Sequence, residues 1–344
     1  KNYVAEIDGL RAIAVLSVVI FHVDERLLPG GFTGVDIFFV ISGYVITQSL
    51  YEKFNPSFRD YISDFYRRRF LRIGPALLVC LSTTALVSSM FIPESWLSEQ
   101  NDATGFAAFF GLSNFVLIDN ADGYFGLKIP FNPFVHTWSL AVEEQFYLIF
   151  PVVLFFVLSH SRQRQRDAQR TSIFSHSLLA LATASLLYCV YETSNRPSHA
   201  FYLLPSRFWE LAAGALIFQL KHSGFEITKG SIPTWPVSLL GIILLAVGMF
   251  YSHRDGFPFP WAILPVAGTA LLIVTFQGKQ ASDNPISLLL TLRPMIFFGL
   301  ISYSLYLWHW PILVLFGWTT GLEDPFWLAV CLVTIFSCSV ASYY

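Results

Sequence analysis

The chain has 344 residues, of which 54% are hydrophobic and 13% are charged, and its mean hydropathy is +0.56. This composition excludes an ordinary soluble domain and predicts an all-α, polytopic integral membrane protein built as a helical bundle. The net charge of −2 gives nucleic-acid binding no support. The four cysteines lie within apolar segments, which indicates core packing rather than disulfides or a metal site.

Eleven apolar runs follow one another along the chain, each long enough, or nearly so, to cross a bilayer. They are 7–23, 34–51, 73–92, 101–118, 137–159, 173–191, 203–220, 235–251, 259–276, 296–318 and 326–344. The chain starts at Lys1, and its last apolar run stops at Tyr344 without a polar tail. We therefore expect it to be part of a longer protein.

Two basic connections decide the predicted topology. Segments 51–72 and 160–172 are rich in Arg and Lys, which places both of them, and the N-terminus, in the cytoplasm. Three apolar runs separate these segments, and an odd number of crossings cannot join two loops on the same side. Run 101–118 is short and interrupted by glycines, so we predict that it is re-entrant or a short helix and that ten runs cross. Segment 57–72 is further predicted to be an interfacial amphipathic helix.

The first apolar run carries two ionisable residues, Arg11 and His22. At about 100° per residue, eleven residues make roughly three turns, so the two side chains share one helix face and lie ~16 Å apart along the axis. An ionisable residue within a membrane span usually faces the bundle interior and has a functional role. The alternative is that Arg11 snorkels to the headgroups and His22 merely ends the span.

Asp36 begins the second run at the same outer depth as His22. A carboxylate there would hydrogen-bond one imidazole nitrogen and leave the other to act as a base. The alternative is a capping box, because Thr33 and Asp36 have the spacing that satisfies amide groups at a helix start.

The segment RRRFLRIGP places Arg69 and Arg72 three residues apart, on one face of a helix near the cytoplasmic edge. Two guanidinium groups in this arrangement suit a diphosphate or a phosphorylated ribose through charge-assisted hydrogen bonds. The alternative is a topology signal that binds lipid headgroups.

The segment HTWSLAVEEQFYLIFP predicts one polar stripe on a crossing helix, formed by His136, Ser139, Glu143 and Tyr147. Glu143 is expected to face a cavity. Glu144 points about 100° away and is expected to face another helix.

Two further segments carry polar groups within apolar runs. In SRFWELAAGAL, Arg207 and Glu210 are expected to pair with each other or with the carboxylates Glu143 and Glu144, in a structural role. In ISYSLYLWHWP, Tyr306 and His309 share a helix face, and a single histidine such as His309 is typical of a hydrogen-bonded core residue.

Six ordered segments together carry a resemblance to a known family. They are IDGLRAIAVLSVVIFH, GVDIFFVISGY, RRRFLRIGP, HTWSLAVEEQFYLIFP, RFWELAAG and ISYSLYLWHWP. Over essentially its whole length the chain resembles the membrane acyltransferase 3 family of bacterial O-acyltransferases. The Arg-x10-His pair of that family falls on Arg11 and His22, and its Arg-x-x-Arg motif falls on Arg69 and Arg72. The LYLWHWP variant resembles members with a further membrane helix and a covalently linked, extracytoplasmic SGNH domain, which we expect to lie outside these 344 residues.

The resemblance implies transfer of an acetyl group from cytoplasmic acetyl-CoA to a carbohydrate hydroxyl outside the bacterial cytoplasmic (inner) membrane, without a metal. The acceptor stays open among lipopolysaccharide O-antigen, peptidoglycan, another exported glycan and a small molecule. The rival class is a proton-coupled transporter or flippase of a glycan precursor, because ten or eleven apolar segments with buried charges also fit a carrier.

Under the acyltransferase hypothesis the polar groups form two layers. The co-substrate acetyl-CoA is expected to bind through its phosphates to the inner layer, formed by Arg11, Arg69 and Arg72. The extended arm of acetyl-CoA then reaches His22, which is oriented by Asp36 or Glu143. His22 deprotonates the acceptor hydroxyl or takes the acetyl group itself. The predicted catalytic residues are His22, Asp36, Glu143 and Glu144. The predicted substrate-binding residues are His136, Ser139, Arg207, Tyr306 and His309.

Overall fold

The computed structural model describes residues 3–92, 99–118, 131–159, 164–223, 234–276 and 284–344. These residues form fifteen α-helices and a 3-10 turn, Gly31–Thr33, and they contain no strand, which confirms the predicted all-α class. The helices are α1 (Ala5–Val23), α2 (Gly34–Glu52), α3 (Phe58–Phe91), α4 (Glu99–Ala108), α5 (Ser113–Ile118), α6 (Thr137–Ser159), α7 (Arg164–Asn195), α8 (Pro197–Tyr202), α9 (Leu204–His222), α10 (Trp235–Tyr251), α11 (Ile263–Thr275), α12 (Pro285–Leu290), α13 (Arg293–Leu300), α14 (Ser302–Thr319) and α15 (Pro325–Tyr343).

The protein is a membrane protein, but the predicted count of ten crossings is not confirmed. Five described helices are long and apolar enough to cross, and α13 with α14, bent by 67° at their junction, would make a sixth. Helices α1 and α9 each carry three charged residues, which lowers their apolar character. Helices α10 and α11 have only 17 and 13 residues, fewer than the ~20 that a bilayer core requires.

The interruption predicted within run 101–118 is confirmed. Helices α4 and α5 have 10 and 6 residues, and Gly111 between them has φ +65°, a left-handed conformation that glycine adopts without strain. Neither helix is long enough to cross a bilayer core.

The predicted interfacial helix 57–72 and the apolar run 73–92 are not separate elements, because α3 is one continuous helix of 34 residues with Pro75 inside it. The helix contacts its neighbours on both sides of the proline. The Tyr66 hydroxyl donates to the carbonyl of Leu148 at 2.8 Å, and Cys80 Sγ lies 3.3 Å from the carbonyl of Leu307. Of the predicted basic connection 160–172, residues 160–163 lie outside the described residues.

Helices α2 and α9 approach each other closely in the interior. A Cβ atom on Gly43 would overlap the carbonyl oxygen of Leu211, and one on Gly214 would overlap the carbonyl oxygen of Val40. This close approach brings the polar residues of α2 and α9 into contact.

We expect Gly214→Ala to destabilise the protein by about 1–3 kcal/mol or more, because the added methyl group meets rigid backbone. Thermal unfolding of the detergent-purified protein would measure the loss. Gly317→Ala is the matched control, since nothing lies within 4 Å of a Cβ atom there. Equal melting temperatures for the two variants would contradict the close approach of α2 and α9.

Candidate active site

An elongated cleft opens between α1, α2, α3, α6 and α14. Its charged lining residues are Arg11, Arg69, Arg72, Glu143 and Glu144. Along α2 the lining extends from Ile46 to Val35, which is ~16 Å at 1.5 Å per residue. The arginines predicted on two separate helices thus meet in one elongated cleft.

Each arginine of the cleft is held differently. Arg11 Nη1 donates to Asp8 Oδ1 at 2.8 Å, and the Tyr3 hydroxyl donates to Asp8 Oδ2 at 2.6 Å. The guanidinium carbon of Arg69 lies 4.1 Å from the centre of the Tyr147 ring, in cation–π geometry. Arg72 is exposed along the cleft. Sequence reasoning missed Asp8, although its i, i+3 spacing to Arg11 was a visible signal.

Glu143 lies where the polar stripe predicts. The Tyr147 hydroxyl donates to Glu143 Oε2 at 2.7 Å, and Ser42 of α2 contacts the same hydroxyl. Glu144 was predicted to face another helix, but it also lines the cleft, and it lies against Gly111, where a Cβ atom would overlap Oε2. The turn between α4 and α5 therefore covers one side of the cleft at Glu144.

Ser139 and Tyr306 join α6 to α14 at the end of the cleft. Ser139 Oγ and the Tyr306 hydroxyl are 2.6 Å apart, and the Tyr306 hydroxyl also donates to the carbonyl of His136 at 3.0 Å. The His136 ring is buried, and its centre lies 6.0 Å from that of His309. Four of the predicted substrate-binding residues are thus brought together.

His22 meets His309 beyond this hydroxyl pair. His22 Nδ1 lies 3.2 Å from His309 Nε2, and the ring centres are 5.2 Å apart. His309 Nδ1 lies 2.7 Å from the carbonyl oxygen of Tyr306, one turn earlier in α14. Trp310 packs on His22 in an edge-to-face arrangement, with ring centres 4.7 Å apart. The contact between the two histidines was not predicted from the sequence.

Asp36 does not make the predicted contact with the His22 ring. Its Oδ1 accepts a hydrogen bond from Arg207 Nη2 at 2.6 Å, and Arg207 Nε lies 3.0 Å from Glu210 Oε1. All three side chains have 0% exposure. Close packing of α2 on α9 puts Arg207 within reach, so the carboxylate neutralises the guanidinium instead of orienting the imidazole.

Of the remaining predictions for these residues, one is confirmed and one is wrong. The pair Arg207 and Glu210 is confirmed, with Asp36 as its unexpected third member. The capping box is wrong: Thr33 makes no side-chain cap, and its hydroxyl donates to the carbonyl of Gly30 at 2.8 Å. Among the residues that the structure describes, no group of three or more His, Cys, Asp or Glu side chains could hold a metal ion.

Comparison with known proteins confirms the resemblance. Residues 4–344 match the family model described as an acyltransferase domain. The chain is 31% identical over 323 residues to the O-acetyltransferase OatA of Staphylococcus aureus, which covers 91% of the chain and 51% of that protein. It is 31% identical over 339 residues to the peptidoglycan O-acetyltransferase OatA of Listeria monocytogenes, covering 96% of the chain and 53% of that protein. The chain thus spans about half the length of these curated relatives, and no solved structure matches it.

Proposed function

Because the chain belongs to the acyltransferase-domain family, we propose that it transfers an acetyl group from cytoplasmic acetyl-CoA to a hydroxyl group of peptidoglycan outside the membrane. The choice of peptidoglycan over lipopolysaccharide rests on the relatives, one of which is named as a peptidoglycan O-acetyltransferase. The observation that carries the proposal is the elongated cleft, with three arginines along it and a histidine pair beyond its end.

The charges of the cleft suit the donor. Acetyl-CoA carries phosphate groups at one end of a long, flexible arm and a thioester at the other. Guanidinium groups bind phosphates through charge-assisted hydrogen bonds, so Arg11, Arg69 and Arg72 are the proposed phosphate ligands. The ~16 Å over which α2 lines the cleft is on the order of the length of the arm.

The proposed chemistry takes place at His22. Its imidazole removes the proton from the acceptor hydroxyl, the oxygen attacks the thioester carbonyl carbon, and the carbon–sulfur bond breaks. The proton on the imidazolium then passes to the departing thiolate, so that free CoA leaves and the imidazole is restored. Transient transfer of the acetyl group to the imidazole itself is the alternative route, with the same products.

We further propose that the N-terminus lies in the cytoplasm and that the chain resides in the bacterial inner membrane. A cysteine placed at Lys53 should then resist an impermeant thiol reagent added outside, whereas one at Glu323 should react. Both positions are exposed, and the four native cysteines lie within helices, three of them buried. Labelling of intact cells checks this, and a reactive cysteine at Lys53 would contradict the orientation.

Arg72→Ala should raise the dissociation constant for acetyl-CoA about 10–100-fold and leave turnover at saturation nearly unchanged. It removes a charge-assisted contact worth roughly 1.5–3 kcal/mol that the ground state and the transition state share. Arg67→Ala on the same helix is the control, because the Arg67 side chain is 72% exposed and lies outside the cleft. Equal donor affinity in the two variants would contradict the assignment of the phosphate site.

The direct test of the function uses membranes or purified protein with acetyl-labelled acetyl-CoA and a peptidoglycan acceptor. Label should appear on the glycan, with one free CoA released for each acetyl group transferred. Movement of a glycan precursor across a vesicle membrane with the thioester left intact would instead favour the carrier.

A further inference from the structure

His309 lies between a backbone carbonyl group and the His22 ring. Its side chain has 0% exposure, its Nδ1 faces the carbonyl oxygen of Tyr306 at 2.7 Å, and its Nε2 faces His22 Nδ1 at 3.2 Å. Each nitrogen of the His309 ring therefore has a partner at hydrogen-bonding distance.

The chemistry of these partners decides where the protons lie. A carbonyl oxygen only accepts hydrogen bonds, so the proton of a neutral His309 ring is on Nδ1. A second proton, on Nε2, would give this fully buried ring a positive charge at a desolvation cost, which favours the neutral form. His309 Nε2 is then an acceptor, and His22 Nδ1 is the donor.

The backbone of α1 favours the same arrangement. The carbonyl oxygen of Val18, one turn before His22, also hydrogen-bonds to the His22 ring. The nitrogen of a histidine ring that can reach a carbonyl one turn back is Nδ1, which lies nearer the backbone. A single proton on His22 Nδ1, shared between this carbonyl oxygen and His309 Nε2, satisfies both contacts.

We propose that His309 is a positioning residue that holds His22 in the tautomer with the proton on Nδ1, so that Nε2 carries the lone pair used in acetyl transfer. The role of this tautomer in catalysis rests on the proposed function. The tautomer itself rests only on the contacts of the two histidine rings. The contact of the two rings, with centres 5.2 Å apart and planes 28° apart, also restricts rotation of the His22 ring. His309 itself does not exchange a proton with the acceptor in this role.

The kinetic test compares two substitutions at one position. His309→Leu removes the acceptor for the His22 proton, and because a positioned base contributes ~10²–10⁴-fold, we expect kcat to fall roughly 10–100-fold with the dissociation constant for acetyl-CoA unchanged. His309→Gln restores an acceptor through its amide oxygen and should recover about tenfold of the loss. His176→Leu, at an exposed histidine on α7, is the control and should keep normal kcat.

A spectroscopic test reads the tautomer without any turnover. In protein labelled with ¹⁵N at histidine, the ring signals that disappear in His22→Ala identify His22. In the wild type they should report a protonated Nδ1 and an unprotonated Nε2. His309→Leu should broaden or shift them, and His309→Gln should restore them.

The outcomes separate the inference from the proposed function. A protonated Nε2 in the wild type, or equal loss of kcat in the Leu and Gln variants, overturns the positioning role. A wild type that neither transfers nor cleaves acetyl groups overturns the proposed function, while its ¹⁵N spectrum still decides the tautomer. Melting temperatures of both variants show whether a lower kcat reflects fewer folded molecules.

Discussion

Replacing His22 by alanine should lower acetyl transfer about 10²–10⁴-fold, the contribution typical of a positioned base, while acetyl-CoA still binds. Acetyl transfer and acetyl-CoA binding are expected to respond differently because the cleft arginines and His22 lie in separate layers. His22 lies near the end of α1, next to His309 and Trp310, whereas Arg11 lies eleven residues earlier and is held by Asp8.

Single-turnover transfer and equilibrium binding of acetyl-CoA, measured on the same preparation, would separate these contributions. His253→Ala is the matched control, since this exposed histidine follows α10 and packs on Trp261 outside the cleft. Loss of donor binding in His22→Ala, or turnover within about threefold of the wild type, would remove His22 from the catalytic role.

Periodicity within a helix predicted much of the cleft. The stripe that includes Ser139, Glu143 and Tyr147 is a property of α6 alone, and all three residues line the cleft. Arg69 and Arg72 are likewise placed by the spacing of α3. Local spacing also indicated the break near Gly111, because glycine there permits a left-handed turn.

Pairing between helices was not predictable in the same way. His22 and His309 are 287 residues apart, and Asp36 and Arg207 are 171 residues apart. Each helix can rotate about its axis and shift along it, so spacing within one helix cannot choose among several candidate partners. Here close packing of α2 on α9 decides the choice, because glycines at the contact bring Asp36 to Arg207.

The crossing count is not confirmed for a related reason. A count based on apolar length treats every charge as a penalty, yet several charges of α1 and α9 are paired inside the protein. Arg11 forms an ion pair with Asp8, and Arg207 forms ion pairs with Asp36 and Glu210. Pairing lowers the cost of burying these groups, but the partners become visible only in the folded structure.

Breaking the buried charge cluster of Asp36, Arg207 and Glu210 is expected to have a large effect on stability. We expect Arg207→Met to destabilise the protein by about 3–5 kcal/mol, because the carboxyl groups of Asp36 and Glu210 would be left buried without their cation. The aromatic rings around the guanidinium group, including Phe39 and Phe257, offer no replacement charge. Arg26→Met is the control: Arg26 also pairs with an aspartate, Asp24, at 2.8 Å, but the arginine is 86% exposed, and we expect no measurable change in stability.

A triple variant, Arg207→Met with Asp36→Asn and Glu210→Gln, decides whether the cluster only supports the fold. Removing every charge together avoids the unpaired carboxylates, so most of the lost stability should return, as replacement of buried ion pairs by neutral groups generally allows. Melting temperature and acetyl transfer would be measured together. If the cluster is structural, both recover in the triple variant. A triple variant that is stable but inactive would contradict that role and return Asp36 to the catalytic residues.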